Sequence, residues 1–241
     1  MLNIVIPMAG EGRRFKEAGY SFPKPLIDVK GKTMIERVVT NIKPLSDHRF
    51  IFICQKKHYD TYDLYNVLRN STNGHFEVVK LDGITGGAAC TILTASKHID
   101  NEDELLIANS DQIVDIDINR FLEAARTSGN EGLIMTFESS HPKWSYARID
   151  KGLVVEVAEK KVISKNATVG IYYFRKGKDF VESASSMIVK NILFNSEFYV
   201  CPTYNELILK GKRIGIYPIN MADMHGMGTP DDLEDFIKNH A

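Results

Sequence analysis

Short, almost uninterrupted apolar runs, set apart by segments of helical periodicity, constrain this chain more than any other feature. Ile4-Val5-Ile6, Phe50-Ile51-Phe52-Ile53-Cys54 and Leu105-Leu106-Ile107-Ala108 are too short for helices and show no polar face. A strand that is apolar on both sides must be covered on both sides, which is the condition of a parallel sheet held between helices. The intervening segments can supply that cover. Met34, Ile35, Val38, Val39 and Ile42 fall at helical spacing, and further helices are expected over residues 57–69, 88–97 and 117–128. Residues 76–79 and 132–136 read as two more strands.

After Trp144 the texture changes. Residues 147–149, 153–158 and 168–174 form closely spaced strand patterns, as antiparallel pieces do. Helices over 178–190, 202–210 and 231–238 and a strand over 213–219 complete the expectation. The fold class predicted is α/β, a Rossmann-like, mostly parallel central sheet flanked by helices, with a small antiparallel insertion in the C-terminal half. No linker, repeat or low-complexity stretch interrupts residues 1–241, so one domain is expected.

Bulk properties narrow the function. A formal net charge of −1 gives no global attraction to nucleic acid or to an anionic membrane, so neither is expected as a partner. The cysteines Cys54, Cys90 and Cys201 are few, odd in number and far apart, which argues against a disulfide framework or a zinc site built from them. The apolar start is cut at Gly10, unlike a signal peptide. No apolar run nears the roughly 20 residues that span a bilayer. A cytoplasmic protein, a monomer or small homo-oligomer, is expected.

The stretch NIVIPMAGEGRRFKEAGYSFPKPL carries the clearest chemistry. A strand breaks into Gly10-Glu11-Gly12, two arginines follow (Arg13 and Arg14), and Lys24 stands between Pro23 and Pro25. Glycines let backbone N–H groups approach a phosphate, and nearby cations neutralise it. With Lys16, these side chains form a local cationic cluster in an otherwise balanced chain. The pattern is not a Walker loop, which closes with Gly-Lys-Ser/Thr, nor a dinucleotide fingerprint, which needs a third glycine. Asp111 follows the run ending at Ala108. The carboxyl ends of strands are where open α/β sheets bind ligands, and a carboxylate there suits Mg²⁺ beside a triphosphate.

Ala9, Gly10, Gly12, Arg14, Pro23 and Lys24 together resemble the signature of the nucleotidyltransferase family that includes the sugar-nucleotide pyrophosphorylases. The resemblance implies a GT-A type fold and Mg²⁺-dependent attack of an acceptor phosphate on a nucleoside triphosphate (NTP), with pyrophosphate released. It implies Arg14 at the leaving pyrophosphate, Lys24 at the phosphates around the reacting centre and Asp111 on the metal. Ala9, Gly10, Gly12, Arg13, Asn109 and Ser110 then fall to the nucleotide. Gly86 and Gly87, before the helix at Ala88, fall to its base. Glu159, Lys160 and Gly170 fall to the acceptor, either a sugar 1-phosphate or a small metabolite such as phosphocholine or a phosphorylated amino acid, with CTP among the donors.

The family pattern breaks near the end. It has a second metal-binding Asp two residues before Gly-Thr, where this chain has Gly226 ahead of Gly228-Thr229. Asp223, or else His225, is the expected substitute, Asp223 leading because Mg²⁺ prefers oxygen. Asp115 and Asp117 are expected to introduce the following helix. The segment around Trp144 reads equally as an acceptor lid or as ordinary packing. Two other functions are compatible with the sequence. One is a glycosyltransferase that uses Asp115-Ile116-Asp117 as its metal motif, and the other is a nucleotide-binding sensor without catalysis.

Overall fold

The structure, a computed structural model, describes residues 1–240. Among these residues, nine strands form the main sheet. They are β1 (Leu2–Pro7), β2 (His48–Gln55), β3 (Phe76–Leu81), β4 (Glu104–Ala108), β5 (Gly132–Glu138), β6 (Tyr146–Asp150), β7 (Leu153–Ala158), β8 (Asn166–Phe174) and β9 (Ile214–Ile219). Strands β3, β2, β1 and β4 lie side by side and parallel. β8 runs antiparallel between β4 and β5, and β9 continues parallel to β5. The antiparallel hairpin β6–β7 joins the sheet where Tyr146 faces Ala167.

The apolar runs explain this arrangement. Alternate residues of each run serve opposite faces. Ile4, Ile6, Phe50, Phe52, Leu106 and Ala108 enter one buried cluster. Val5, Ile51, Ile53, Leu105 and Ile107 enter the other. A strand pleat with period two allows this, and helices on both faces keep water out.

Capping fixes where several of those helices begin. Thr33 opens the Met34–Ile42 helix with a reciprocal box: the Glu36 amide donates to its hydroxyl at 3.3 Å, and its own amide donates to the Glu36 carboxylate at 2.7 Å. Asp117 caps the Ile118–Thr127 helix by accepting from the Asn119 amide at 2.9 Å. Thr229 caps the Pro230–Asn239 helix, accepting from the Asp232 amide at 3.1 Å.

Two expected helices are broken. The segment predicted over 57–69 forms Lys56–Thr61 and Leu64–Thr72, since the first piece buries nothing and only the second has an apolar face, at Leu64 and Leu68. The segment over 88–97 divides into Ala88–Leu93 and Ser96–Ile99. A further antiparallel ribbon, Gln112–Val114 with Met224–Gly226, has no clear sequence signal. It carries the C-terminal segment to the end of β4, where the Met227 amide donates to the Asp111 carbonyl at 2.7 Å. Among the described residues no helix is long and apolar enough to cross a membrane.

The Gly86-Gly87 turn is set by a backbone crossing. The Phe198 amide donates to Gly86 O at 2.8 Å, and the Ala89 amide donates to Phe198 O at 2.9 Å. Gly87 has φ +125°, and a Cβ there would lie 2.6 Å from both N and O of Phe198. Gly87→Ala is therefore expected to cost about 1–3 kcal/mol in urea unfolding. Gly226→Ala, whose Cβ would meet no atom within 4 Å, is expected to stay within about 0.5 kcal/mol of wild type.

Candidate active site

The carboxyl ends of β1 and β4 open into a cleft of ≈ 710 Å³. Its first wall is the glycine loop. The amides of Gly10, Glu11 and Gly12 enter no backbone hydrogen bond among the described residues, and Gln55 holds the loop by donating to the Ala9 carbonyl at 2.8 Å. Gly12 adopts φ +62° and starts the short Arg13–Glu17 helix. That left-handed φ favours glycine, and the Lys24 stem passes close by, since a Cβ at position 12 would lie in ordinary contact with Lys24 Cβ at 3.4 Å.

Lys24 opens a 3-10 turn, Lys24–Leu26, between the buried rings of Pro23 and Pro25. Proline fixes φ on either side, which limits where the lysine can point. Its ammonium forms an ion pair with Oδ2 of Asp111 across the cleft, and both side chains are only 20% exposed. Asp111 is held in turn. Its carbonyl accepts from Met227, and Gly228 packs so closely that a Cβ there would lie 3.1 Å from Oδ2.

The rest of the lining comes from four places. Ser110, buried, and Asn109 stand beside Asp111. Thr85, Gly87 and Thr91 come from the turn and helix that follow β3. Glu197 and Tyr199 flank Phe198, whose backbone crossing on Gly87 delivers them to the site. Lys160, after β7, donates to the Tyr199 hydroxyl at 2.8 Å and lies over its ring. Burial and the neighbouring Glu197 carboxylate push the Tyr199 phenol well above its ordinary range. The lining carries Arg13, Arg14, Lys24 and Lys160 against Glu11, Asp111 and Glu197, a small local excess of positive charge in a chain of net charge −1.

A second cavity of ≈ 270 Å³ shares Asn109, Lys160 and Tyr199 with the first. Glu159, Ser145, Trp144, Tyr172 and Gly170 line it. Burial raises the Glu159 carboxyl, with the Ser145 hydroxyl donating to it in partial compensation. Gly170 has φ +97°, and its carbonyl accepts from the Asn109 amide at 3.1 Å. Any Cβ on Gly170 would collide with the Asn109 and Gln112 side chains. Trp144 meets Phe137 edge-on at 5.3 Å and also lines this cavity, so it both packs and faces the open volume.

Most of the residues expected from sequence meet here. Ala9, Gly10, Gly12, Arg13, Arg14, Lys24, Gly87, Ser110 and Asp111 line the larger cavity, Glu159 and Gly170 the smaller, and Asn109 and Lys160 both. Gly86 lies outside the lining and serves as a backbone partner of Phe198. Asp223 also lies outside, its carboxylate accepting from the Asn220 amide at 3.3 Å and from the Asn220 side chain at 3.1 Å. Asp117 caps its helix as expected, but Asp115 bonds to His225 at 2.7 Å instead. Neither Asp115 nor Asp117 reaches the cleft. The sequence reading missed Thr85 and Thr91, whose hydroxyls bond to each other beside Gly87, and Glu197 and Tyr199, which only the Phe198 crossing brings to the cleft.

An α/β sheet thus carries a glycine loop, a proline-braced lysine and a strand-end carboxylate around one cleft. The chain belongs to the nucleotidyl transferase family, whose model matches residues 4–189. It is 27% identical over 180 residues to a bifunctional GlmU protein of Methanocaldococcus jannaschii, an alignment covering 73% of this chain and 40% of that one. The chain thus spans about two fifths of the length of that curated relative. It superposes with TM-score 0.83 and 29% identity on the crystal structure of a nucleoside-diphosphate-sugar pyrophosphorylase from Vibrio cholerae RC9, covering 98% of this chain and 100% of the other. A putative glucose-1-phosphate thymidylyltransferase from Bacillus anthracis shares the fold at TM-score 0.78 and 21% identity, covering 99% and 94% of the two chains.

The ion pair across the cleft can be measured directly. Lys24→Met and Asp111→Asn are each expected to destabilise, since each leaves a half-buried charge alone. The double variant is expected to recover about 1–3 kcal/mol relative to the sum of the two. Additive losses in urea unfolding would mean that the two side chains do not interact.

Proposed function

We propose that this chain couples a nucleoside triphosphate to a phosphorylated acceptor and releases pyrophosphate. The observation that carries the reading is the convergence of the Gly10–Gly12 loop, Lys24 and Asp111 at the ends of adjacent parallel strands. The cleft volume falls within the roughly 300–1,000 Å³ common for small-molecule sites, enough for a nucleotide. In this reading the triphosphate lies along the glycine loop. Arg14 holds the departing pyrophosphate and Lys24 the phosphates next to the reacting phosphorus. Charge grows on the leaving oxygens as the bond breaks, and cations fixed in advance stabilise it. Asn109, Ser110 and Gly87 border the nucleoside.

The donor set fits Mg²⁺. Asp111 offers a half-buried carboxylate, and this ion is commonly bound through one or two carboxylates with substrate phosphates completing its shell. Bound there, Mg²⁺ supplies further neutralisation of the phosphates. Asp111 would hold the ion, and Lys24, now paired with Asp111, would be left to pair with a substrate phosphate.

The acceptor is a sugar 1-phosphate in this proposal. Relatives named for nucleoside-diphosphate sugars and glucose 1-phosphate support it, and so does the smaller cavity. Lys160, at the junction of the two volumes, suits the acceptor phosphate. Glu159, Ser145 and the Gly170 backbone suit hydroxyl groups. Asp115 and Asp117 are engaged away from the cleft, which weighs against a glycosyltransferase built on that motif. The same reading has a cytoplasmic enzyme making activated sugars, with residues 1–241 acting as one catalytic domain.

The test is pyrophosphate release from each of the four NTPs with Mg²⁺ and a panel of sugar 1-phosphates, phosphocholine included for comparison. Turnover is expected with one sugar 1-phosphate and one preferred base. Lys24→Ala is expected to lower kcat by about 10²-fold or more. Arg14→Lys is also expected to be costly, because an ammonium cannot reproduce a two-pronged guanidinium grip. Transfer of sugar from a nucleotide-sugar with no pyrophosphate released would contradict the proposal.

A further inference from the structure

Beside the ribbon that supports Asp111, and outside both cavities, three potential metal ligands converge. Asp115 follows Gln112–Val114, His225 lies on Met224–Gly226, and His240 follows the Pro230–Asn239 helix. Ligand atoms from all three lie within 4.8 Å of one another. His225 Nε2 is 2.7 Å from Asp115 Oδ2, and the two imidazole rings are 4.0 Å apart. None of the three lines the nucleotide cleft or the smaller cavity.

We propose that Asp115, His225 and His240 form a binding site for a zinc-class transition-metal ion that clamps the C-terminal helix to the ribbon behind Asp111. The donor set is the first ground. Two imidazoles and a carboxylate suit Zn²⁺ or its neighbours and do not suit Mg²⁺, which prefers six oxygens. With metal–ligand distances of about 2.0–2.1 Å, tetrahedral ligands stand roughly 3.3 Å apart. Small side-chain rotations close the present spacing, and the Asp115 side chain, 58% exposed, is free to make them.

Support of the ligands is the second ground. The His240 ring stacks on Phe236 at 4.7 Å, and Phe236 is buried in the core. His240 Nδ1 lies 3.3 Å from the Phe236 carbonyl, and an Nδ1–H donated there leaves the Nε2 lone pair for a metal. The Asp115 amide donates to the Asp223 carbonyl at 2.8 Å, which fixes the Asp115 backbone against the strand that carries His225. The ion takes the place of the proton that His225 shares with Asp115, and water fills the open position.

The consequence reaches the cleft through covalent neighbours. His225 is three residues from Gly228, which packs on the Asp111 carboxylate, and Met227 bonds to the Asp111 backbone. A clamp at His225 and His240 therefore stiffens the wall on which Asp111 stands.

Calorimetric titration of the chelator-treated full chain with Zn²⁺ alone tests this. One ion per chain is expected. Affinity should fall at least ten-fold in His240→Ala and in Asp115→Asn, the latter an exposed change that leaves the fold intact by circular dichroism. Asp111→Asn should bind Zn²⁺ as wild type does. Zn²⁺ should raise Tm and slow amide exchange over residues 224–229 in wild type and not in His240→Ala. Equal Zn²⁺ affinity in wild type, His240→Ala and Asp115→Asn would overturn the proposal, as would loss of binding in Asp111→Asn alone.

Discussion

The ion pair between Lys24 and Asp111 is the contact on which the geometry of the site depends. It joins a lysine from a proline-braced turn to a carboxylate at the end of β4, residues distant in sequence and brought together because β1 and β4 are neighbours in the sheet. A half-buried pair of this kind adds little net stability, because desolvation offsets most of the attraction. Its effect is positional. The pair holds one cation and one anion at the floor of the cleft. A ligand carrying both phosphate and a divalent cation can take both partners without leaving either charge bare.

The sheet topology and a few close approaches place everything else around that pair. Parallel strands β1 and β4 deliver the glycine loop and Asp111 to the same edge. β8 runs the other way and brings Gly170 back beside Asn109. At Gly87 the backbone of Phe198 comes closer than a side chain allows, Gly228 packs tightly against the Asp111 carboxylate, and Gly12 supplies the left-handed turn beside Lys24. These glycines set the walls of the cleft as well as its chemistry.

The buried strands and the cleft floor were legible in the sequence because their signals are local. Uninterrupted apolar runs require burial on both faces, and Gly10-Glu11-Gly12 with Pro23-Lys24-Pro25 can be read within one short segment. Asp117 marked a helix start for the same reason. Glu197 and Tyr199 were invisible because only the Phe198 crossing brings them in, across a long sequence separation. Gly86 and Gly87 were legible as a glycine pair opening the helix at Ala88, but not as the floor beneath Phe198. Asp223 was the favoured substitute for a missing carboxylate at Gly226 on the strength of its chemistry. Its own Asn220 turn occupies it, a local competition that charge and spacing do not reveal. His225 read as the second choice for that substitute rather than as part of a cluster, since its partners Asp115 and His240 come from elements that only the fold assembles.

The account's central claim is that Asp111 occupies Lys24 until a metal-bound polyphosphate separates them. NTP affinity, measured with and without Mg²⁺ for wild type and Asp111→Asn, tests it most directly. In the absence of Mg²⁺, the account predicts that Asp111→Asn binds NTP more tightly than wild type, because Lys24 is released and one repulsive carboxylate is gone. The same variant should lose most of the gain in affinity that Mg²⁺ gives wild type. An Asp111→Asn protein that binds metal-free NTP no better than wild type, and keeps the full Mg²⁺ effect, would contradict it.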